Sequence, residues 1–300
     1  MRIRLIVGRE GLSYKDKSEY IYEEIGNRLK KGRGKMYLIV PEQFTLGAER
    51  ALMAVNGLKG LLGADVLSFK RLEYRILSEV GGITKTFVDD HGRQMLLQKS
   101  IRQVSKDLTV YKKSAGKPGF LENISELISE IKQNDITPEA IRNAEESVGE
   151  GRILSRKLKD ICTIFEAFSD NLGADRIDRD DRSALLCEQI PKSDYLNRSL
   201  IWIDGFYTFS ASDFKIIRAL AEKVDCLTLT LTLDPDKNTA DARAFDVPRE
   251  TLLKIDKMAA EMGMETELID LSKGCVSRPG SLAHLERNLF ALRPEPWLIT

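Results

Sequence analysis

Ile3-Arg4-Leu5-Ile6-Val7, a turn from Gly8 to Asp16, a helical stretch from Lys17 to Lys31 and a second apolar run from Met36 to Val40 read as strand, glycine-bearing turn, helix, strand. A βαβ start of this kind implies a parallel sheet. Within the helix, Tyr20, Ile21, Ile25 and Leu29 recur near every fourth position, a stripe that packs on the sheet, and Gly32 and Gly34 end it. Pro41-Glu42-Gln43 follows the second strand; a helix bearing Leu46, Ala51 and Leu52 comes next. A short strand, Asp65 to Phe69, then leads into a helix from Lys70 to Val80.

The pattern changes between Asp89 and about Ser183. Helical periodicities (Leu121, Ile124, Leu127, Ile128, Ile131; Leu154, Leu158, Ile161, Phe165) replace strand signals, which predicts a helical insertion. Strand character returns at Ser199 to Asp204, followed by a helix around Ser212 to Lys223 and a strand from Cys226 to Leu233 that closes on Asp234-Pro235. Both runs suit strands buried on two faces. The tail from Ala240 predicts an amphipathic helix from Pro248 to Met262, a strand from Glu265 to Leu271, and an end without a closing element, which reads as a fragment of something longer. The sequence thus divides into 1–88 with 195–240 as one α/β domain, 89–194 as the helical insertion, and 241–300 as the start of a following region.

Lys plus Arg equals Asp plus Glu at 46 each, so there is no global basic field of the kind that announces nucleic-acid binding, and any such site must be local. No run of 18 apolar residues occurs and the N-terminus reads as a strand rather than a signal peptide, which predicts a cytoplasmic protein without a membrane partner. Cys162, Cys187, Cys226 and Cys275 lie tens of residues apart with no C-x-x-C pair. They read as small buried residues in a reducing compartment, not as metal ligands.

The turn after the first strand is where α/β folds seat phosphates on backbone N–H groups and a helix N-terminus. A working loop needs G-x-x-x-x-G-K-[ST]. Here Gly8, Arg9 and Gly11 precede Lys17-Ser18, but Asp16 replaces the second glycine and Gly8 stands nine residues before the lysine instead of six. One reading is ATP binding with magnesium; the other is a decayed loop in which Asp16 caps the helix, leaving Lys17 and Ser18 exposed on its first turn. Asp204 ends a buried strand where a magnesium-binding acid belongs, or is a turn residue there. Gly205 follows it where a water-activating glutamate is needed, so hydrolysis is expected to be negligible.

Three loops at strand ends carry aromatic, basic and amide side chains suited to a nucleic-acid strand. The first offers Gln43, Phe44 and Thr45; the second Phe69, Lys70, Arg71 and Tyr74; the third Phe206, Tyr207 and Phe209. In a doubly wound fold all three leave the carboxyl ends of parallel strands and share one sheet edge. The competing reading makes Phe69 and Phe206 core plugs and Arg71 a surface residue. His91 beside Asp89 and Asp90 reads as a helix start capped by one of those aspartates, and His284 has no partner nearby in sequence. Neither histidine is assigned a catalytic role.

The blocks Val7-Gly8-Arg9, Leu38 to Gln43 with Thr45, Val66 to Phe69 with Arg71-Leu72, Gly92 to Leu97, Lys117 to Phe120, Asp204 to Tyr207 with Phe209, and Leu282 to Glu286 occur in one order along the chain. Together they resemble the AddB family. The resemblance implies a RecA-like, superfamily 1 helicase-like α/β domain in which Asp89 to Ser183 is the helical insertion. It further implies a heterodimer with an AddA helicase-nuclease subunit that processes double-strand DNA ends for recombinational repair. In that family the AddB chain contributes a nuclease and an inactive helicase-like region that scans single-stranded DNA for Chi. By that resemblance Gln43, Thr45, Phe69, Arg71, Tyr74 and a phenylalanine of the third loop (Phe206 or Phe209) contact the strand. Family members carry an intact phosphate loop, which this chain departs from. The family's magnesium-dependent nuclease domain and its 4Fe-4S cysteines lie beyond the residues present, so neither nuclease activity nor a cluster is expected here. Rival readings are a P-loop ATPase or kinase, which needs the missing loop glycine and acidic pair, and a scaffold that only docks AddA.

Overall fold

The computed structural model describes residues 2–9, 16–32, 34–81, 85–149, 151–239, 241–272 and 280–296. In chain order its elements are β1 (Arg2–Gly8), α1 (Lys17–Lys30), β2 (Lys35–Ile39), α2 (Thr45–Asn56), β3 (Ala64–Leu67), α3 (Phe69–Val80), β4 (Thr86–Phe87), α4 (Asp90–Val104), α5 (Pro118–Gln133) and α6 (Pro138–Val148). They continue with α7 (Ile153–Leu172), β5 (Arg176–Ile177), α8 (Arg182–Gln189), β6 (Ser199–Ile203), α9 (Ala211–Lys223), β7 (Cys226–Thr232), α10 (Asp246–Glu261), β8 (Glu265–Asp270) and α11 (Gly280–Asn288). Contacts divide the chain into two units: Met1–Val80 with Gln189–Phe209 and Ile217–Thr300, and Gly81–Glu188 with Ser210–Ile216.

The first unit is built on a six-stranded sheet in the order β3-β2-β6-β7-β1-β8. Every pairing is parallel: β1 lies against β7 from Arg2↔Cys226 to Gly8↔Thr232 and against β8 on its other side, and β2 lies between β3 and β6. The central strands β2 and β6 are near-continuous apolar runs, as suits strands covered on both faces, while β7 alternates leucine with the buried Thr228 and Thr230. The segment set apart in sequence as the start of a following region, 241–300, contributes α10 and the edge strand β8 to this same unit.

The core on one face joins Ile6, Met36, Leu38 and Trp202 of the sheet to Ile21 and Ile25 of α1 and Leu52 of α2. Truncating a residue such as Leu52, which has no exposed surface, costs about 2–5 kcal/mol. Helices α1 and α2 approach closely because position 26 is glycine: a Cβ there would stand 1.7 Å from Asn56 Oδ1. The Asn56 amide uses that space to donate to Tyr22 O at 2.8 Å. Beside this core, Arg4 donates to Glu24 at 2.8 Å, and Arg28 and Trp202 Nε1 donate to the same carboxylate.

The second unit is mainly helical, with Leu97 and Ile101 of α4, Ile124 and Ile128 of α5 and Ile164 and Phe168 of α7 in one core. Its only strands among the described residues, β4 and β5, pair in parallel over two residues each; segments this short carry no periodic signal, which is why the sequence shows none. A charged cluster lies inside it. Arg93 donates to Asp178 at 3.2 Å, Asp180 at 2.9 Å and Ser129 at 3.1 Å, and Lys132 bridges Asp178 and Asp181. Nearby, the Asp160 carboxylate accepts the backbone N–H groups of Thr109, Val110 and Tyr111, fixing the turn after α4.

Candidate nucleic-acid and phosphate-loop sites

The carboxyl end of β1 faces the carboxyl ends of β7 and β6, the edge at which open parallel sheets bind ligands. Asp16 caps α1, accepting Ser18 N at 2.8 Å. The expectation that capping leaves Lys17 exposed is corrected: Lys17 is only 4% exposed. The first turn of α1 lies over the end of β1, and the Lys17 Cγ stands 3.3 Å from where a Gly8 Cβ would be. Ser18 is half-buried, and its Oγ donates to Asp204 Oδ2 at 2.6 Å. Thr230 Oγ1, one strand over on β7, donates to the other oxygen of Asp204. Tyr22, one turn further along α1, has its phenol pushed up to about 12 by burial and by the neighbouring Asp204 and Asp16 charges.

Arg9 is turned into a ring of acids. It donates to Asp234 at 3.2 Å, to Glu286 at 2.9 Å and to Asp241, with its guanidinium 5.0 Å from the centre of the Phe245 ring. Burial works against its charge, but these carboxylates overcome that and raise its pKa. Burial would likewise raise Asp241, yet the hydrogen bonds and charge of Arg9 hold it below the ordinary carboxylate range. The donors of Arg9 are therefore occupied within the protein, and this edge carries more carboxylate than cation. Gly11 lies outside the described residues. Gly205, directly after Asp204, has φ 77°, a left-handed conformation that favours glycine.

The three aromatic loops leave β3, β2 and β6, which are neighbours in the sheet. The Phe69 and Phe206 rings are 5.4 Å apart, and Phe206 stacks at 5.4 Å on Phe209. Phe209 is buried and Phe69 and Phe206 are half-buried, so this aromatic row is the floor of the edge. Above it stand exposed side chains: Gln43, Lys70, Arg71, Phe44 (53% exposed), Tyr74 (69%) and Tyr207 (67%). The Thr45 hydroxyl donates to Glu42 O and so locks the turn that presents Gln43 and Phe44. Ser68 Oγ accepts from Arg71 N at the start of α3. In the third loop the exposed ring is Tyr207; no periodicity in the sequence separates it from its inward neighbour Phe206.

Asp89 caps α4 by accepting Gly92 N at 2.7 Å. His284 does have a neighbour, the Glu295 carbonyl, 2.7 Å from its Nε2 across a turn of the chain that sequence spacing does not reveal. Cys162 and Cys226 are buried, Cys187 on α8 is half-buried rather than fully so, and Cys275 lies outside the described residues. Among the described residues no group of three His, Cys, Asp or Glu side chains is arranged to hold a metal, and no helix is long and apolar enough to cross a membrane. Sequence reasoning missed Thr230, Asp241 and Glu286. The alternation of Leu and Thr along β7 groups Thr228, Thr230 and Thr232 on one face, and only the pairing of β6 with β7 sets Thr230 beside Asp204.

An all-parallel sheet with a capped helix after its first strand and a serine–aspartate pair at its carboxyl edge defines a RecA-like α/β domain of the P-loop class. The chain belongs to the AddB N-terminal family: the family's sequence model, described as "ADDB, N-terminal", matches residues 5–286. It is similar to the ATP-dependent helicase/deoxyribonuclease B subunit of Alkaliphilus oremlandii, 40% identical over 295 residues that cover 97% of this chain and 26% of the relative. It is also similar to the proteins of the same description from Alkaliphilus metalliredigens (37% over 291 residues, 96% and 25%) and Geobacillus kaustophilus (33% over 308 residues, 98% and 26%). The chain spans about a quarter of the length of these relatives.

Proposed function

We propose that this chain is the single-strand-binding, motor-inactive region of an AddB-type helicase/deoxyribonuclease chain. The observation that carries the reading is the row Phe69–Phe206–Phe209 at the ends of β3 and β6, with Gln43, Arg71, Tyr74 and Tyr207 exposed above it. Aromatic rings take the faces of successive bases and Arg or Gln takes phosphates and base edges, which gives strand binding without a globally basic protein. The relatives are described as one subunit of an enzyme, which supports a second chain as partner; on the family resemblance that chain is AddA. The setting proposed is processing of broken DNA ends for repair in the cytoplasm, with this edge scanning the displaced strand for Chi.

The phosphate-loop edge is proposed not to turn over ATP. Ser18 and Asp204 supply the oxygen pair that would hold a magnesium ion, which when bound would draw charge from phosphoryl oxygens. Around them Asp16, Asp234, Asp241 and Glu286 disfavour a triphosphate, Arg9 is committed to three of those acids, and Gly205 offers no carboxylate to activate water.

Photo-crosslinking of a halogenated single-stranded oligonucleotide, with the attachment points read by mass spectrometry, tests the strand assignment. Crosslinks at Phe44, Tyr74 or Tyr207 are expected; crosslinks confined to the helical unit, or none, would overturn it.

A further inference from the structure

Helix α4 carries a second surface that the strand-binding reading does not use. The block Gly92 to Leu97 turns Arg93 inward to Asp178 and Asp180, while Met95 points out and is 71% exposed. Positions 92, 95, 96, 99, 102 and 103 lie three or four apart and so share one face, about 16 Å long. That face borders a groove of about 830 Å³. Its floor is apolar, from Val88, Met95 and Leu96, and its cations are Lys99, Arg102 and Arg176. No carboxylate lines it. Among the described residues none of those three cations has a carboxylate partner, although Arg93, Lys132 and Arg179 of the same unit are all paired.

We propose that this groove, floored by Val88, Met95 and Leu96 and rimmed by Lys99, Arg102 and Arg176, docks an acidic amphipathic helix of a partner protein. The occupant's apolar residues, spaced three and four apart, lie on Met95 and Leu96, and its carboxylates meet the three cations. Methionine suits such a floor because its unbranched, polarisable side chain adapts to the side chains laid on it. A nucleic-acid backbone fits less well. A phosphate track gains nothing from covering the apolar side chains of Val88, Met95 and Leu96, whereas an amphipathic helix buries them.

The test is fluorescence anisotropy with the full 300-residue chain and a labelled helical peptide of roughly 14 residues, four turns, with leucines on one face and glutamates flanking them. Controls are a scrambled peptide of equal composition, a peptide with lysine for each glutamate, and a single-stranded oligonucleotide. Binding of the leucine–glutamate peptide that falls at least tenfold in Lys99→Glu/Arg102→Glu, with an unchanged melting temperature, and that neither control peptide reproduces, is the expected result. Met95→Asp is expected to weaken the same peptide without altering the charge of the rim cations. Absent binding, equal affinity in the variants, equal binding of the scrambled peptide, or competition by the oligonucleotide at this face would each overturn the proposal.

Discussion

The Phe69 ring lies 5.4 Å from the Phe206 ring, so the end of β3 and the end of β6 touch across the end of β2, the strand that lies between them. Adjacent strands are about 4.8 Å apart, so loops two strands away meet only where large side chains lean toward each other. This contact joins the loop after β3 to the loop after β6, on either side of the loop after β2.

Floor and top of that surface separate on mutation. Phe206 touches both Phe69 and Phe209, so Phe206→Ala removes two aromatic pairs and is expected to lower stability by about 1–3 kcal/mol along with strand binding. Tyr74 is mostly exposed; Tyr74→Ala is expected to leave stability within about 0.5 kcal/mol while losing about 1–3 kcal/mol of affinity for single-stranded DNA. Urea unfolding and strand titrations on the same two variants check this, and a Tyr74 variant that binds like the parent contradicts it.

Restoring an acid after Asp204 is expected not to restore an ATPase. Gly205 sits at φ 77°, and a Cβ there would stand 3.5 Å from Pro41 Cδ. Gly205→Glu is therefore expected to destabilise the chain by about 1–2 kcal/mol and to show no phosphate release above background. Phosphate release above the parent's background in the variant would contradict this account of the edge.

The buried cluster of the helical unit is expected to be the most sensitive point of that unit. Arg93 is 2% exposed with its fork shared among Asp178, Asp180 and Ser129, so Arg93→Ala strands buried carboxylates and is expected to cost about 3–5 kcal/mol. Arg93→Lys is expected to recover only part of this, since an ammonium cannot span the same acceptors. Denaturant midpoints of the two variants decide it.

Stability is expected to fall on acidification, not on mild alkalinisation. Burial would raise Glu24, Asp178 and Asp241, but Arg4 with Arg28, Lys132 with Arg93, and Arg9 respectively outweigh it and hold each below the usual carboxylate range. A depressed folded pKa gives stability that is fully present above the unfolded values near pH 4 and is lost as pH falls through the folded ones. Asp181, raised by burial and by Asp178, runs the other way and offsets part of the change. The urea midpoint is expected to be level from pH 7 to about pH 5 and to drop below that; a midpoint unchanged at pH 3 contradicts it.

The sheet was readable because its strands are apolar or Leu–Thr runs between turn residues, and observed ends differ from the predicted ones by no more than two residues. The Asp16 and Asp89 caps were readable from local chemistry alone. What escaped the sequence depends on distance along the chain: Arg93 meets Asp178 across 85 positions, and Ser18 meets Asp204 across 186. Lys17 is the plainest case. Its position on the first turn of a helix suggests exposure, and only the overlap of that turn with the end of β1 buries it. The aromatic loops were found by composition, but which ring points outward is set by loop geometry, so Tyr207 and not Phe206 stands exposed.

The most direct measurement is the affinity of a short labelled single-stranded DNA by fluorescence anisotropy, at low and moderate salt, for this chain and for Phe69→Ala/Arg71→Ala. Salt-sensitive binding by the parent that weakens about tenfold or more in the variant is expected; equal binding by both, or none by the parent, contradicts a strand-binding edge.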